Sequence, residues 1–470
     1  MSKDVGQAIL APPGELLKKY NVPGPRYTSY PTVPYWESNP SADQWMQSVA
    51  QALQDSEAKG IGAALYIHIP FCQSLCTYCG CNTRITRNRG VGSPYVATVL
   101  KEWELYLEGI AKVNGTRKPM LVSEIHLGGG TPTFLTPDEL EELMTGILKH
   151  VQVAPGAEFS VEADPRVTER EHLARLAKLG FRRLSLGIQD FDPKVQDIVH
   201  RVQSEEQVRI VTQTARELGY TSINYDLIYG LPFQTRQSVQ DTIETVRRLA
   251  PDRIAFYAYA HVPWIKPSQR RFTEADLPSG DEKRALYELG RGMLEQVGFR
   301  EVGMDHFALK TDSLWASSIS GQLHRNFMGY TARQVSPLIG LGVSAIGDSW
   351  SAFAQNEKLL ETYVARVEKG EIPIHRGHLL DREDQILRSH VLNLMTRMKT
   401  SWNTPETYTE FLETVPEKLT ELAHDGLIVL GDRSCEVTEQ GRAFLRNVCM
   451  AFDARLVRRA PLTELFSKTI

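Results

Sequence analysis

Cysteine is scarce in this sequence: 470 residues contain only six. Four of them fall within the ten residues from Cys72 to Cys81, and the other two, Cys435 and Cys449, lie far away. This distribution argues against a disulfide-stapled secreted domain, whose cysteines are spread through the chain. We expect Cys435 and Cys449 to be ordinary buried thiols, since free cysteine behaves as a small apolar residue.

Long apolar runs and an excess of basic charge are also missing. No stretch approaches the roughly 18 apolar residues of a membrane-spanning helix, so no membrane span is expected. The formal net charge of −4 gives no reason to expect binding to nucleic acid. Residues 1–13 resemble neither a signal peptide nor an Arg-rich transit peptide, so we expect a cytoplasmic protein.

The cysteine-rich stretch has the spacing Cys72-x3-Cys76-x2-Cys79 and follows an apolar run, Ala63–Ile69, that Pro70 closes. Thiolates select soft metals: zinc, copper(I) or the iron of iron–sulfur clusters. A structural zinc site usually takes its ligands from two separated pairs, and no second pair with that spacing exists. One compact thiolate loop therefore favours an iron–sulfur cluster.

Apolar β-type runs alternate with helical patterns at intervals of roughly 30 to 40 residues, which indicates βαβ units and a parallel sheet. The predicted strands are Ala63–Ile69, Val122–Leu127, Glu158–Glu162, Arg183–Gly187, Ser222–Tyr229 and Arg253–Tyr259. The predicted helices are Tyr95–Ile110, Pro137–His150, Glu169–Leu179, Glu205–Leu218 and Thr235–Leu249. Six such units suit an α/β fold with an incomplete, three-quarter TIM-like barrel.

Polar or glycine residues follow most of these strands. Ligands of parallel α/β folds bind at the carboxyl ends of strands, so these residues should meet at one rim. They include the cysteine loop, Gly128-Gly129-Gly130-Thr131, Glu162, Gln189-Asp190 and Asp226. For Glu162 or Asp226 taken alone, the default interpretation is a buried carboxylate in an ion pair. A glycine run lets backbone approach a ligand, but no phosphate-loop or Rossmann spacing accompanies it.

The chain divides into three parts: an N-terminal arm (1–60), a barrel with a substrate-side extension (61–373) and a mainly helical C-terminal domain (374–470). The arm contains Gly24–Thr32, where proline and glycine exclude a helix and three bulky residues favour packing. Residues 280–298 suggest a helix and Arg300–Phe307 one strand. Near the C-terminus the element order is like that of a winged helix, without a basic recognition face.

The cysteine spacing, with the aromatic Tyr78 just before the third cysteine, resembles the radical S-adenosylmethionine (SAM) enzymes. That resemblance implies a barrel of the kind predicted above. It also implies that Cys72, Cys76 and Cys79 hold one [4Fe–4S] cluster whose fourth iron binds SAM. Cys81 would lie near the cluster without being a ligand.

Several further segments resemble the oxygen-independent coproporphyrinogen III oxidase family. They are Gly24–Thr32, Tyr66–Asn82, Gly128–Thr133, Asp226–Pro232, Tyr259–Pro263, Gly303–Ala308, His324–Tyr330 and Gly340–Ile346. The resemblance implies two SAM molecules. The first would contact Tyr66, Gly129, Glu162 and Ile346, of which Tyr66 and Glu162 are the expected catalytic residues. The second would contact Tyr78, Gly130, Thr131, Gln189, Arg201, Asp226 and Ala260.

The implied enzyme is an oxidoreductase of haem biosynthesis. A 5′-deoxyadenosyl radical from SAM would remove hydrogen from two propionate side chains of coproporphyrinogen III, which become vinyl groups of protoporphyrinogen IX. Too few cysteines remain for a second cluster, so electrons should come from another protein such as a flavodoxin or ferredoxin. A monomer is expected. Arg26, Lys266, Arg270 and Arg271 are candidates for pairing with substrate carboxylates.

Two other classes of function share part of this pattern. One is a haem-binding chaperone that carries a cluster and binds SAM without catalysis. The other is a radical SAM methyltransferase that acts on haem. Cys81 and the N-terminal arm favour the oxidase.

Overall fold

A computed structural model describes residues 14–37, 39–461 and 465–469. The helices in these residues are α1 (Gly14–Tyr20), α2 (Ala42–Glu57), α3 (Gly92–Asn114), α4 (Pro137–Leu148), α5 (Arg170–Lys178), α6 (Pro193–Ile198), α7 (Glu205–Glu217), α8 (Arg236–Leu249), α9 (Gly280–Gln296), α10 (Ser313–Ser320), α11 (Leu360–Glu368), α12 (Arg382–Arg397), α13 (Val415–His424), α14 (Leu445–Ala451) and α15 (Ala454–Arg458). None of the described helices is both long enough and apolar enough to cross a membrane.

The strands in the same residues are β1 (Ala63–Ile69), β2 (Phe71–Cys72), β3 (Arg84–Ile85), β4 (Met120–Gly129), β5 (Val151–Ala163), β6 (Arg183–Gln189), β7 (Ser222–Tyr229), β8 (Arg253–Ala258), β9 (Phe299–Glu301), β10 (His306–Leu309), β11 (His324–Asn326), β12 (Gly329–Thr331), β13 (Leu338–Leu341), β14 (Ile346–Asp348), β15 (Ala352–Asn356), β16 (Ile374–Leu379), β17 (Lys399–Ser401), β18 (Ile428–Gly431) and β19 (Ser434–Val437).

A continuous run of parallel strands forms the centre of the molecule, in the order β1-β4-β5-β6-β7-β8. These are the six predicted strands, and the helices between them lie close to their predicted positions. Strand β13 extends the run in parallel beside β1, and β10 joins β8 antiparallel. The outermost strands, β16 and β9, are at opposite ends of the sheet, so the barrel stays open. The three-quarter barrel is therefore confirmed.

Side chains alternate along β6 between the two faces of the sheet. Leu184, Leu186 and Ile188 are buried against the surrounding helices, whereas the residues between them are only partly buried. Successive side chains of a strand point to opposite faces, so the second set faces the barrel interior. Ser185 and Gln189 belong to that set and line a cavity there. The strand thus holds its polar groups inside the barrel while its apolar groups form the core.

The N-terminal arm and the C-terminal region share a hydrophobic core of their own. Tyr27 and Tyr30 of the arm pack with Leu387, Leu419 and other buried residues of α12 to α15. The Tyr27 hydroxyl donates a hydrogen bond to Asp453 Oδ2 at 3.1 Å. Packing of the arm is confirmed, and its partner is the C-terminal region. The stretch 1–60 also contains α2, which packs on the barrel core instead.

The C-terminal region has the predicted winged-helix-like order: α13 is followed by β18 and β19, which pair with β17 in a small antiparallel sheet. Cys435 and Cys449 are 1% and 0% exposed, which confirms them as buried thiols. The prediction of a single strand over Arg300–Phe307 is wrong. The segment folds back on itself as β9 and β10, which pair antiparallel with each other.

Glu102 of α3 is a fully buried carboxylate that connects this helix to the segment after β13. It accepts hydrogen bonds from the Gly342 N–H (2.7 Å), the Asn356 amide (2.6 Å) and the Tyr363 hydroxyl (2.6 Å). We expect Glu102→Ala to lower the free energy of unfolding by about 3 kcal/mol, because it leaves three buried donors without an acceptor. Urea unfolding measures the loss, and an unchanged midpoint would contradict this assignment.

The matched control is Glu102→Gln, which keeps an acceptor oxygen and cannot ionise. Burial raises the pKa of Glu102 from 4.5 to about 7, against the lowering effect of its hydrogen bonds. Because the pKa is higher in the folded than in the unfolded state, folding favours the protonated form. This stabilising contribution is full below about pH 4.5 and is lost as the pH rises through about 7. The Gln variant should lack that part of the pH dependence.

Candidate active site

The cysteine-rich loop leaves the barrel at the carboxyl end of β1. Pro70 ends that strand, and the short strand β2 then pairs with β3, so that Cys72 is opposite Ile85. Cys72, Cys76, Cys79 and Cys81 all line one cavity of ≈ 450 Å³ at this rim. This volume is within the range of small-molecule binding sites.

The four thiols differ in their surroundings, and all six cysteines of the chain are free. Cys76 is only 8% exposed, whereas Cys81 is exposed. Burial raises the pKa of Cys72 to about 11, although the Thr131 hydroxyl, 3.4 Å from its Sγ, opposes this. A hydrogen bond from the Cys81 thiol lowers the pKa of Cys79. Cys81 thus acts on a neighbouring thiol of the same loop.

No three His, Cys, Asp or Glu side chains in the described ranges converge closely enough to hold a single metal ion. The thiols of Cys72, Cys76 and Cys79 nevertheless share one cavity. Three thiols on one compact loop, with no histidine among them, are a donor set that iron–sulfur clusters take.

The glycine segment at the end of β4 packs closely against the end of β1. A Cβ on Gly129 would lie 2.8 Å from the His68 ring, and one on Gly130 would lie 2.7 Å from the Pro70 carbonyl oxygen. The Gly129 N–H donates to Glu162 Oε2 at 3.2 Å, and the Gly130 N–H donates to the Ile69 carbonyl at 2.8 Å. From the sequence we expected backbone that approaches a ligand. The N–H groups of Gly129 and Gly130 already have partners within the protein, so this segment lines the cavity with backbone that carries no side chains.

Two carboxylates face the cavity from neighbouring parts of the sheet. Glu162 is the penultimate residue of β5 and accepts a hydrogen bond from His126 Nε2 at 3.0 Å. Desolvation would raise the pKa of Glu162, but His126 and the Gly129 N–H hold it below its usual value. Asp226 of β7 accepts hydrogen bonds from Ser185 and Asn224, each at 2.9 Å. Desolvation, followed by the charge of Glu162, raises the pKa of Asp226 to about 6.

Anionic side chains on this wall suit a cationic ligand. SAM carries a positive sulfonium and an ammonium group, and a partly desolvated carboxylate binds such groups by charge-assisted hydrogen bonds. The thiol-bearing wall across the same cavity suits a cluster, so the residues present fit both groups that the sequence resemblance implies.

An arginine pair covers the Cys76 side of the cavity. The Arg201 guanidinium donates to the carbonyl of Gly187 through Nη2 (2.6 Å) and to Asp164 Oδ2 through Nη1 (3.2 Å). Arg166 donates to the same Asp164 carboxylate through Nε (3.0 Å) and Nη2 (2.6 Å). Desolvation opposes ionisation of Asp164, but the charges of Arg201 and Arg166 lower its pKa to about 2. Asp164 is therefore a carboxylate that fixes both arginines.

Most of the residues expected at the site line this cavity. They are Cys72, Cys76, Tyr78, Cys79, Gly129, Gly130, Thr131, Glu162, Gln189, Arg201 and Asp226. Tyr66, Ala260 and Ile346 lie outside its wall. Tyr66 stacks on His126 with 5.8 Å between ring centroids and donates to, or accepts from, His68 Nδ1 at 3.0 Å. The Ala260 carbonyl accepts a hydrogen bond from Gln269 at 3.2 Å, and Ile346 begins β14.

Sequence reasoning did not identify His68, His126, Arg166 and Ser185 as site residues. His126 and Ser185 are inside predicted strands, where alternation alone indicates that they face the barrel interior. Their polar character on that face was the available signal. Arg166 follows a proline after β5, and nothing in its local sequence distinguishes it from a solvent-exposed arginine.

A second cavity of ≈ 130 Å³ continues into the barrel. It shares Glu162, Ser185 and Asp226 with the first cavity, and it extends to Glu124 in the middle of β4 and to Arg253, the first residue of β8. The interior below the rim is thus polar and connected to the site.

An open parallel barrel with a three-cysteine loop at its carboxyl rim defines a radical SAM protein. In agreement, the Radical SAM superfamily matches residues 66–246. The oxygen-independent coproporphyrinogen III oxidase of Pseudomonas aeruginosa is 39% identical over 451 residues, which are 94% of this chain and 95% of that protein. The protein of the same name from Escherichia coli is 38% identical over 97% of this chain and 98% of its own.

A solved structure agrees with these relatives. Coproporphyrinogen III oxidase from Escherichia coli, described as a radical SAM enzyme, matches with a TM-score of 0.85 and 37% identity. The match covers 94% of this chain and 98% of that one. The chain belongs to the oxygen-independent coproporphyrinogen III oxidase family.

Proposed function

We propose that this protein converts coproporphyrinogen III to protoporphyrinogen IX without oxygen, as part of haem biosynthesis. Each of two propionate side chains would lose one hydrogen atom to a radical derived from SAM, one electron to an electron acceptor, and CO₂, and would become a vinyl group. The observation that most supports this reaction is the extent of the similarity. It spans 94% of the chain in one relative and 97% in another, so it includes the arm and the C-terminal region as well as the barrel.

The thiolates of Cys72, Cys76 and Cys79 would hold the [4Fe–4S] cluster. When bound, the cluster and SAM supply a carbon radical that abstracts hydrogen from an unactivated CH₂ group. Glu162 would bind a cationic group of SAM, because His126 and the Gly129 N–H keep its carboxylate ionised and fixed in direction. The protein's own contribution is to position these groups and to exclude solvent from them.

We assign a second SAM molecule to the same cavity. Asp226 is a second carboxylate on a different strand from Glu162, so each could bind one cation. Other residues expected around that molecule line the same cavity as Asp226: Tyr78, Gly130, Thr131, Gln189 and Arg201. Ala260, expected at the second SAM molecule, and Ile346, expected at the first, are not among the residues that line this cavity. The expected stoichiometry is two SAM per chain.

The substrate carboxylates need cationic partners near the rim. The loop Trp264–Arg271 packs on the cysteine loop: Lys266 Nζ donates to the Cys81 carbonyl at 3.2 Å, and Gln269 donates to the Tyr78 carbonyl at 3.2 Å. Arg26 of the arm donates to the carbonyl of Ala258, the last residue of β8, at 2.7 Å. We propose that Lys266, Arg26 and the exposed Arg270 and Arg271 pair with the propionates.

The reaction also needs an electron donor, for which we propose a reduced flavodoxin or ferredoxin in the cytoplasm. The described cysteines outside the loop are buried in the C-terminal core, so they offer no second cluster to relay electrons. We propose that the chain works as a monomer.

An anaerobic assay tests this function. The purified protein, with its cluster reconstituted, is mixed with coproporphyrinogen III, SAM and a chemical reductant. The products are then oxidised and identified by their fluorescence. We expect protoporphyrin, with SAM consumed in proportion to the vinyl groups formed. A protein that binds haem and SAM without turnover would be a haem chaperone. Methylated haem as the product would indicate a methyltransferase.

A further inference from the structure

Two guanidinium groups converge on a single cysteine of the loop. Arg201 Nη1 lies 3.7 Å from Cys76 Sγ, and Arg166 Nη2 lies 3.8 Å from the same atom. Both are within hydrogen-bonding reach of a sulfur acceptor. Cys76 itself is 8% exposed and Arg201 is also 8% exposed, so water screens these contacts little.

The arginines are held in this arrangement by a carboxylate that does not touch the sulfur. Asp164 is 6% exposed and accepts from Arg166 and from Arg201. The Gly187 carbonyl fixes the other end of the Arg201 guanidinium. Two positive charges and one negative charge therefore leave a net charge of about +1 beside Cys76, in an orientation that the fold determines.

The other two cysteines lack this environment in the part of the chain that the structure describes. Cys72 Sγ has the neutral hydroxyl of Thr131 as its hydrogen-bonding partner, and Cys79 interacts with the thiol of Cys81. Of these three thiols, Cys76 is the one that described guanidinium groups hydrogen-bond, although the charges of Lys266 and Arg201 also act on Cys79. If the two arginines only stabilised the fold of the loop, contact of both with a sulfur atom would not be required.

We propose that Arg166, which Asp164 orients together with Arg201, stabilises the negative charge that the Cys76 side of the cluster gains when the cluster accepts an electron. Arg166 is a positioning residue in this sense: it acts on the cluster through a cysteine and touches no substrate. Hydrogen bonds to cluster sulfurs and nearby charges are among the factors that set the reduction potential. The inference depends on the cluster of the proposed function.

The test is a redox titration of the reconstituted protein, followed by electron paramagnetic resonance in the absence of SAM and substrate. Arg166→Gln should keep its iron content. At a fixed ambient potential its ratio of reduced to oxidised cluster should fall about tenfold, which equals about 59 mV for one electron. Arg166→Lys should shift in the same direction by less, because the ammonium keeps the charge and loses the planar fork.

Arg87→Gln is the matched control. Arg87 lines the same cavity but makes no hydrogen bond to a cysteine sulfur among the described residues, so its loss should leave the potential near that of the wild type. Equal potentials for Arg166→Gln and Arg87→Gln would overturn the inference. If Arg166→Gln does not retain iron, the comparison uses Arg166→Lys, and a wild-type potential there would overturn it. A wild-type protein that takes up no cluster would overturn the proposed function as well.

Discussion

Cys76→Ala protein is expected to take up no [4Fe–4S] cluster and to show no turnover. Cys76 is the most deeply buried of the loop cysteines and supplies one of only three proposed cluster ligands. An alanine leaves one iron without a thiolate, and both arginines lose their contact with a sulfur atom. Iron analysis and the visible absorbance of the anaerobically reconstituted protein measure the loss.

Cys81→Ala is the matched control, because it removes a thiol from the same loop at an exposed position. Its thiol hydrogen-bonds to Cys79 and lowers the pKa of that ligand, so we expect the cluster to form, at least in part, and to be less stable. Full iron content and normal absorbance in Cys76→Ala would contradict the ligand assignment. Equal loss of iron in both variants would indicate that Cys81 is itself a ligand.

Asp226→Ala is expected to reduce kcat/KM by about 10- to 100-fold, the effect of losing a hydrogen bond to a charged group. The cluster should remain, since Asp226 is on β7 and none of its described hydrogen bonds involves the cysteine loop. Binding of SAM, measured by calorimetry on the reconstituted protein, should weaken at one of two sites.

Asp226→Asn separates charge from shape, because the amide keeps one acceptor oxygen for Ser185. It should impair turnover almost as much as Ala if the carboxylate binds a cation. Asp241→Ala, on the exposed side of α8, removes one acid without touching the cavity and should behave as wild type. Loss of iron in Asp226→Ala would mean that the residue is structural.

The barrel could be predicted because its evidence is local. Each strand is an apolar run of several residues, and each helix has its own periodic pattern and often a capping residue, such as Thr136 before α4 or Ser204 before α7. The strand-end rule then placed most of the cavity wall, including Glu162 and Asp226, on one rim.

Other features depend on contacts between distant segments and could not be predicted in the same way. Leu338–Leu341 was not among the predicted strands, and it forms one because it pairs with β1, far away in sequence. The arm offered aromatic residues without indicating which surface they cover. Arg166 acquires its role only through Asp164 and Cys76, which the fold brings together from separate segments.

The shared core of the arm and the C-terminal region affects how the chain folds during synthesis. Tyr30 leaves the ribosome early, yet its partner Leu387 in α12 is made more than three hundred residues later. At elongation rates of about 5–20 residues per second the arm therefore waits on the order of tens of seconds with its aromatic side chains unburied. Throughout that interval the growing chain would be a natural client of chaperones, and docking of the arm should be among the last steps of folding.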